Sequence, residues 1–338
     1  MSPIGLGHAA RSLEVAKRLA AMGVDLRVFS GGRAAEFMRN RGMDVDAVVS
    51  DATPSIVGGV MRGASLWYLR SWLALRRTVP RTRRLLGEFK PGLVVCDEEF
   101  SGMVAAEAAG VRRVLISDEL ELGFARSWLA KKVEGRVYRW YVRVQDGAEA
   151  VVIPEEGKDA GNRRYVGPIV RPVTAGKDEV LRSFGLPREG MLVLLSLSGS
   201  GQGSFLIPPV LSAFREASIP GGFLVVTGNR GRKAEGEGVY DLGVVGENQN
   251  LVAAADLVVS TAGKSTIDEA AAAGTPIIAV PIRHHAEQER NAAAEGGPPD
   301  LRGLAALMRD KAGRRRQPAR CDGAETAARL ISSMAAGA

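Results

Sequence analysis

The segment DLVVSTAGKSTIDEAAAAGTPIIAVPI, residues 256–282, contains two short apolar runs separated by an alanine-rich stretch. The runs at 256–263 and 275–282 are rich in Val and Ile, which is typical of strands buried in a parallel sheet. Gly263 makes a turn after the first run, and the residues from about Lys264 onward favour a helix. The segment therefore predicts a strand–helix–strand unit with parallel strands.

The same alternation of apolar runs and helical periodicity extends along the whole chain. It predicts strands at 24–31, 44–50, 92–98, 112–119, 149–155, 191–199, 221–229, 240–246, 256–263 and 275–282. We expect an α/β fold of two doubly wound, Rossmann-like domains that face each other across a cleft. The predicted domains are 1–150 and 151–338, and a Gly- and Pro-rich stretch at 161–179 lies at their junction.

The composition is that of a soluble globular protein. Hydrophobic residues make up 46% of the 338 residues, and no apolar run approaches the ~20 residues of a membrane span. We expect no secretory signal and a cytoplasmic location. Cys96 and Cys321 lie far apart, which predicts reduced thiols. The net charge of +7 predicts an anionic partner: nucleic acid, a phospholipid surface or a phosphorylated substrate.

Three polar segments follow predicted strands and could bind a ligand. The glycines of 196–204 allow backbone N–H groups to approach an anion, and the helix after Gly263 offers unpaired N–H groups at its start. Ordinary helix capping is the alternative for both. The third segment, 281–292, suits hydrogen bonding to sugar hydroxyls. A metal site at its adjacent histidines is disfavoured, because neighbouring positions on an extended chain point apart.

Ordered motifs along the chain resemble those of a known enzyme family. They are GLGH (5–8), VGPIVR (166–171), SLSGSGQG (196–203), residues 260–282 and EQERNA (287–292). Together they resemble the GT-B glycosyltransferases, in particular the MurG-type N-acetylglucosaminyltransferases of peptidoglycan synthesis and their archaeal relatives. The motifs are densest in the second predicted domain, so the resemblance is most specific there.

The resemblance implies a nucleotide-sugar site in the second domain. Glu269 matches an acidic residue that accepts hydrogen bonds from the ribose hydroxyls, and the backbone at Val245 matches the position that holds the base, usually uracil. Arg171 matches an arginine that reaches the diphosphate, a contact that suits its forked donors. The other implied donor positions are Ser198, Gly199 and Ser200 in the diphosphate loop, Gly263, Ser265 and Thr266 at the helix start, and Glu287 and Gln288 at the sugar.

The resemblance also gives His8 a role as the base of an inverting transfer. In such a transfer the acceptor hydroxyl attacks the anomeric carbon opposite the leaving UDP, and a base takes its proton. The alternative is that His8 is an ordinary residue of the first helical turn. A carboxylate could be the base instead, and the acceptor-side candidates are Asp97, Glu98, Glu99, Asp118 and Glu119.

The start of the chain departs from the family pattern. Leu6 separates two glycines that are adjacent in the usual loop, and only residues 1–4 precede Gly5, whereas a strand takes about five or six residues. We therefore expect the N-terminal domain to lack its first strand and to expose two strand edges. A start site placed too far downstream, or a trimmed sequence, would explain this. The segment after Asn291 is also shorter than the family norm.

Two segments of the first domain mix large apolar side chains with basic ones. They are 61–86 and 124–144, and interfacial helices pair such anchors with groups that meet anionic headgroups. The candidate membrane contacts are Trp67, Trp72, Arg76, Arg77, Trp128 and Trp140. The alternative is that the aromatic side chains fill the core while the arginines are solvated. Nucleic-acid binding is disfavoured because no recognised nucleic-acid module accompanies these segments.

The sequence thus predicts an inverting, metal-independent glycosyltransferase without a cofactor. It would move a sugar, N-acetylglucosamine, from a UDP donor to a lipid-linked acceptor at the cytoplasmic face of the membrane. One alternative is a non-hydrolysing UDP-N-acetylglucosamine 2-epimerase, which shares the architecture. Another is a catalytically silent protein that binds the membrane or a partner glycosyltransferase. The fold alone does not decide among these activities.

Overall fold

The computed structural model describes residues 1–3, 5–50, 53–118, 123, 125, 127–197, 201–298 and 301–337. The chain forms two compact units. Unit 1 comprises Met1–Ser55, Gly63–Val170 and Cys321–Ala338, and unit 2 comprises Ile56–Arg62 and Arg171–Arg320.

Helices and strands alternate along the chain, as the hydrophobic periodicity predicts. The strands are β1 (Val28–Ser30), β2 (Val45–Ala47), β3 (Ser55–Val57), β4 (Val60–Arg62), β5 (Leu93–Asp97), β6 (Arg112–Ile116), β7 (Ala150–Ile153), β8 (Arg163–Tyr165), β9 (Leu192–Ser196), β10 (Phe223–Thr227), β11 (Val239–Gly243), β12 (Leu257–Thr261) and β13 (Ile277–Val280). The α-helices are α1 (Leu6–Ala21), α2 (Gly32–Arg39), α3 (Ala64–Phe89), α4 (Phe100–Ala108), α5 (Trp128–Asp146), α6 (Lys177–Ser183), α7 (Ile207–Ala217), α8 (Asn248–Ala254), α9 (Lys264–Ala273), α10 (Ala286–Ala294), α11 (Leu304–Lys311) and α12 (Gly323–Ala336).

Unit 2 contains one continuous parallel sheet. Its strand order is β11-β10-β9-β12-β13, and every neighbouring pair runs parallel. All residues of β9, β10, β12 and β13 are buried, because helices cover both faces of the sheet. The segment 256–282 therefore forms the predicted strand–helix–strand unit, β12-α9-β13.

The sheet of unit 1 is divided in two. Strands β5-β6-β7-β8 form one parallel sheet, and β1 pairs only with β2 among the described residues. Met1 and Ser2 lie between the two parts: the Met1 amino group donates to the Phe29 carbonyl at 3.0 Å, and the Ser2 N–H donates to the Asp97 carbonyl at 2.8 Å. The prediction that the N-terminal domain lacks its first strand is confirmed for the described part of the chain.

An apolar slot occupies the gap between β1 and β5. It has a volume of about 160 Å³, and its lining includes Val15, Leu19, Leu86 and Val95. A strand inserted between β1 and β5 would fill this space with side chains. The core of unit 1 is consequently less complete than that of unit 2.

The division into units differs from the predicted domains 1–150 and 151–338 in three places. Strands β7 and β8 stay in unit 1, so the junction lies at Val170 and Arg171. The C-terminal helix α12 returns to unit 1, because its apolar face packs against α1 and the β6-β7 region. Most of the β3-β4 hairpin, Ile56–Arg62, belongs to unit 2.

The β3-β4 hairpin pairs through its backbone with Arg283 of unit 2. Gly58 and Gly59 both have positive φ, which suits a two-residue hairpin turn. The Met61 N–H donates to the Arg283 carbonyl at 2.9 Å, and the Arg283 N–H donates to the Gly59 carbonyl at 2.8 Å. A Cβ on Gly59 would lie 2.6 Å from the Phe205 ring, so the close packing requires glycine.

Each of the ten predicted strands is present, and the structure adds β3, β4 and β8. The added strands have three residues each, as do β1 and β2. Among the residues that the structure describes, no helix combines the length and the apolar character required to span a bilayer.

Candidate active site

His8 lies in the first turn of α1, just after Gly5, whose φ of 76° suits glycine. Arg11 and Ser12 follow at the i+3 and i+4 positions, so the three side chains share one helix face. All three contact the Asp97 carboxylate at the end of β5. The His8 Nδ1 lies 3.0 Å from Asp97 Oδ1, and the Ser12 hydroxyl donates to Oδ2 at 2.6 Å. This face of α1 therefore fixes His8 against β5.

Arg11 links two carboxylates of unit 1. Its Nη2 donates to Asp97 Oδ1 at 2.6 Å, its Nε donates to Asp97 Oδ2 at 2.9 Å, and its Nη1 donates to Asp118 Oδ1 at 2.6 Å. Burial alone would raise the pKa of Asp97, but Arg11 and His8 outweigh that effect and lower the pKa well below its usual range. Asp97 is therefore ionised, and both of its carboxylate oxygens accept hydrogen bonds.

The charge state of His8 follows from its neighbours. Burial and the Arg11 guanidinium lower the pKa of His8, but the Glu98 and Asp97 carboxylates act in the opposite direction and raise the pKa to about 9. The ring is therefore protonated at neutral pH in this structure. A protonated imidazole donates a proton and does not accept one.

Glu98 has the most open carboxylate of this group. Its side chain is 30% exposed, compared with 2% for Asp97 and 12% for Asp118. Its backbone has a φ of 43°, and its Oε1 accepts from the Ser117 hydroxyl at 3.3 Å and from the Asp118 N–H at 3.4 Å. Burial, with Asp118 and Asp97, raises the pKa of Glu98, while His8 and Arg11 oppose this.

The other acceptor-side candidates have different places. Glu99 is the N-cap of α4, where its carboxylate accepts from the Ser101 N–H at 2.9 Å and from the Gly102 N–H at 2.8 Å. Glu119 lies outside the described residues. The structure thus brings His8, Asp97, Glu98 and Asp118 together, whereas Glu99 caps the start of α4.

Sequence reasoning missed Arg11, Ser12 and the Ser117–Tyr141 pair, whose hydroxyl oxygens lie 2.5 Å apart. The helical spacing of Arg11 and Ser12 from His8 is a signal that could have found the first two. Nothing in the sequence links Ser117 with Tyr141, because α5 lies in a different part of the chain.

Unit 2 places Glu269 and Arg171 in one bidentate ion pair. Arg171 Nε donates to Glu269 Oε1 at 2.7 Å, and Nη2 donates to Oε2 at 3.2 Å. Arg171 Nη1 also donates to the Gly246 carbonyl at 3.3 Å. The Glu269 side chain is 5% exposed, so this fork holds a buried carboxylate on α9 in one orientation.

The first turn of α9 precedes Glu269 on the same helix. Gly263 is its N-cap and supplies no side-chain cap, and Ser265 and Thr266 are half-buried in the first turn. Lys264 forms an ion pair with Asp268 one turn further on. The first-turn N–H groups of α9 therefore keep the capacity to bind an anion. The predicted diphosphate-loop residues Ser198, Gly199 and Ser200 lie outside the described residues.

The polar segment after β13 is held by its own side chains. Gln288 Oε1 accepts from the Ile282 N–H at 3.0 Å, and Glu289 Oε1 accepts from the His284 N–H at 2.8 Å, where His284 has a φ of 67°. Glu287 is half-buried in the first turn of α10. Val245 is half-buried and packs against the core of unit 2.

The predicted membrane contacts on α3 and α5 separate into two groups. Trp72 is 49% exposed and Trp128 is 70% exposed, with Arg76 and Lys132 stacked over their respective rings. Arg76 and Arg77 are exposed, and Trp67 is half-buried beside Tyr68. Trp140 differs from the prediction: it packs edge-on against Phe100 beside the core of unit 1, because it faces inward from α5.

Comparison with known proteins relates this chain to glycosyltransferases. Residues 227–294 match the family model of the glycosyltransferase family 28 C-terminal domain, and this segment contains α9, Glu269 and Gln288. The chain has the fold of the GT-B glycosyltransferases: the crystal structure of Acinetobacter baumannii MurG superposes with a TM-score of 0.61 at 13% identity, covering 98% of each chain.

Two relatives are similar in sequence. An uncharacterized glycosyltransferase of Methanopyrus kandleri, MK0977, is 28% identical over 224 residues, which cover 63% of this chain and 63% of the relative. The UDP-N-acetylglucosamine--N-acetylmuramyl-(pentapeptide) pyrophosphoryl-undecaprenol N-acetylglucosamine transferase of Thermus thermophilus is 30% identical over 249 residues, covering 71% of this chain and 63% of the relative. The chain thus spans slightly less than two thirds of each relative. The predicted fold class and the resemblance to MurG-type glycosyltransferases are confirmed.

Proposed function

We propose that this protein is an inverting glycosyltransferase that moves N-acetylglucosamine from a UDP donor to a lipid-linked acceptor. The observation that carries the proposal is the buried, Arg171-held carboxylate of Glu269 on α9, inside the segment that matches the family 28 domain. The name of the Thermus relative includes both the donor and a polyisoprenoid acceptor, which supports the choice of substrates.

Glu269 suits the ribose of the donor. A carboxylate has about four lone-pair sites, so it can accept from two vicinal hydroxyls while it keeps bonds to Arg171. Arg171 fixes the orientation of this carboxylate and has a further N–H group bonded to the Gly246 carbonyl. In this proposal the backbone near Val245 holds uracil, and Arg171 keeps Glu269 in place while its Nη1 group exchanges the Gly246 carbonyl for the diphosphate.

The diphosphate would lie at the start of α9. The first-turn N–H groups of α9, which have no partner within the helix, and the hydroxyls of Ser265 and Thr266 stabilise negative charge that grows on the leaving UDP. The loop with Ser198, Gly199 and Ser200 adds donors, and Glu287 and Gln288 contact the sugar. We propose transfer without a bound metal or cofactor, because these groups and Arg171 supply the positive potential.

A group in the ionised cluster around His8 would accept the proton of the acceptor hydroxyl. As that oxygen attacks the anomeric carbon from the face opposite the diphosphate, the bond from carbon to the phosphate oxygen breaks, and UDP leaves with the electron pair. The proton passes to a group of the cluster. Inversion follows from attack on the opposite face.

The exposed surface of α3 and α5 supports a peripheral position at the inner membrane face. Tyr68 on α3 donates to Glu134 on α5 at 2.7 Å, so the two helices are held together. Trp72 and Trp128 expose apolar rings beside basic side chains, a combination that binds anionic interfaces. This surface would bring the site to a lipid-linked acceptor.

Calorimetric titration with UDP, GDP and UDP-N-acetylglucosamine tests the proposal. We expect selective binding of the two uridine ligands and at least about a tenfold loss of affinity in Glu269→Ala, since one or more charge-assisted hydrogen bonds disappear. Glu237→Ala, an exposed carboxylate of unit 2, is the matched control. A folded protein that binds none of the three ligands would contradict the proposal. Conversion of UDP-N-acetylglucosamine to its 2-epimer without an acceptor would favour the epimerase, and vesicle binding without UDP binding would favour a silent partner.

A further inference from the structure

Both ring nitrogens of His8 face carboxylates. Nδ1 lies 3.0 Å from Asp97 Oδ1, and Nε2 lies 3.6 Å from Glu98 Oε2. A histidine that acts as a base needs one bare nitrogen directed at the substrate, whereas a ring between two carboxylates is stabilised with both nitrogens protonated. The Asp97 contact at Nδ1 suits both forms of the ring, and the approach of Glu98 to Nε2, at ion-pair distance, favours the cation.

The carboxylates around His8 differ in how much capacity remains to accept a proton. Asp97 accepts from Arg11, Ser12 and His8 and is 2% exposed, so it has no open side. Asp118 is bound by Arg11 at 2.6 Å. Among the described residues, Glu98 has the 3.6 Å approach of His8 and two long hydrogen bonds at 3.3 and 3.4 Å, and its side chain is 30% exposed.

We propose that Glu98, rather than His8, accepts the proton of the acceptor hydroxyl, and that His8 is a positioning residue that holds the Glu98 carboxylate. The inference rests on the proposed glycosyl transfer. The acceptor O–H bond breaks as its oxygen bonds to the anomeric carbon, the proton moves to a Glu98 carboxylate oxygen, and UDP departs with the electrons of the broken glycosyl–phosphate bond. Glu98 then releases the proton to water.

The charges that face Glu98 come from each element packed around it. Asp97 lies on β5, His8 and Arg11 lie on α1, Asp118 follows β6, and the Tyr141 hydroxyl, which interacts electrostatically with Glu98, lies on α5. Burial and the two aspartates raise the pKa of Glu98, which increases its basicity, while the raised pKa of His8, about 9, keeps that ring cationic at neutral pH. Both effects favour a carboxylate base beside a fixed cation.

The kinetic test compares Glu98→Gln and His8→Gln with wild type. UDP release from UDP-N-acetylglucosamine is followed from pH 5 to 10 with detergent-dispersed N-acetylmuramyl-(pentapeptide) pyrophosphoryl-undecaprenol as the acceptor probe, because its sugar supplies a hydroxyl. For Glu98→Gln we expect kcat to fall about 10²- to 10⁴-fold, with KM for the donor nearly unchanged and the acid limb of the pH profile lost. His8→Gln should lose less of its kcat and should keep the acid limb of the pH profile. Glu107→Gln, an exposed carboxylate of α4, is the control and should resemble wild type.

A second measurement does not depend on turnover. The chain has three histidines, so ¹⁵N-histidine NMR with His8→Gln as the assignment variant resolves the His8 ring. At pH 7.5 we expect both ring nitrogens to be protonated, and Glu98→Gln to lower the pH at which the ring loses its proton. A neutral His8 ring at pH 7.5, or a Glu98→Gln variant with more than half of the wild-type kcat, would overturn the inference. Failure of UDP to bind in wild type would instead overturn the proposed function.

Discussion

Units 1 and 2 contain the same kind of parallel sheet, but only the sheet of unit 2 is continuous. The strands β9, β10, β12 and β13 are buried along their whole length, whereas an apolar slot of about 160 Å³ separates β1 from β5 in unit 1. The charged cluster of His8 borders this slot, since Asp97 and Ser12 are part of its lining. Hydrogen bonds between α1 and β5 therefore support unit 1 where unit 2 uses apolar packing.

The tryptophans allow the unfolding of unit 1 to be measured separately from that of unit 2. All four, at positions 67, 72, 128 and 140, belong to unit 1. Tryptophan fluorescence during urea unfolding thus follows unit 1, while circular dichroism follows both units.

Removing Arg11 should have the largest effect. Arg11→Met leaves the buried Asp97 and the half-buried Asp118 without their shared cation, and we expect unit 1 to lose about 3–5 kcal/mol of unfolding free energy. The control is Arg84→Met, because Arg84 is 83% exposed in an i,i+4 pair with Glu88 and should change stability by no more than about 0.5 kcal/mol. A loss below about 1 kcal/mol in Arg11→Met would show that the cluster does not support unit 1.

Raising the pH should have the next largest effect. The pKa of His8 is about 9 in the folded chain and 6.5 as its ordinary value, so the protonated ring favours the folded state. The contribution is complete below pH 6.5, declines between pH 6.5 and 9, and is absent above pH 9; it amounts to about 3 kcal/mol. The tryptophan-detected midpoint should fall across this window in wild type. In His8→Gln it should fall much less, and equal slopes in the two proteins would contradict the assignment.

A matched pair of core substitutions should have the smallest effect. Val95→Ile adds a methyl group to the wall of the unit 1 slot and should stabilise unit 1 by about 0.5–1 kcal/mol. Val193→Ile adds the same group to β9, where Val193 is fully buried, and should destabilise unit 2 by about 1–3 kcal/mol. Calorimetry and urea unfolding check both signs. Two variants with the same sign would mean that the units are equally well packed.

The sequence was sufficient for the regular part of the fold, because buried parallel strands leave continuous apolar runs such as those at β9, β10 and β12. It was insufficient for the hairpin β3-β4, whose three-residue strands are paired through backbone groups with Arg283. The return of α12 to unit 1 was also missed, because an amphipathic helix shows that it has an apolar face but not which core that face covers.

Contacts between distant residues limited prediction of the candidate site in the same way. Arg171 and Glu269 were each chosen by resemblance, but their ion pair joins positions 98 residues apart. The role of Glu99 as the N-cap of α4 was not predicted, although a carboxylate just before a helix is a recognisable cap. The cationic form of His8 depends on Asp97 and Glu98, which only the folded chain brings to its two ring nitrogens.

Hydrogen exchange with and without UDP tests the central claim most directly, namely that unit 2 holds the nucleotide of the donor. We predict that UDP slows exchange around Gly246 and at the start of α9, near Ser265, leaves β6 and β7 of unit 1 unchanged, and loses its effect in Glu269→Ala. GDP at the same concentration should protect much less. No change in unit 2 at saturating UDP, or protection confined to unit 1, would contradict the account.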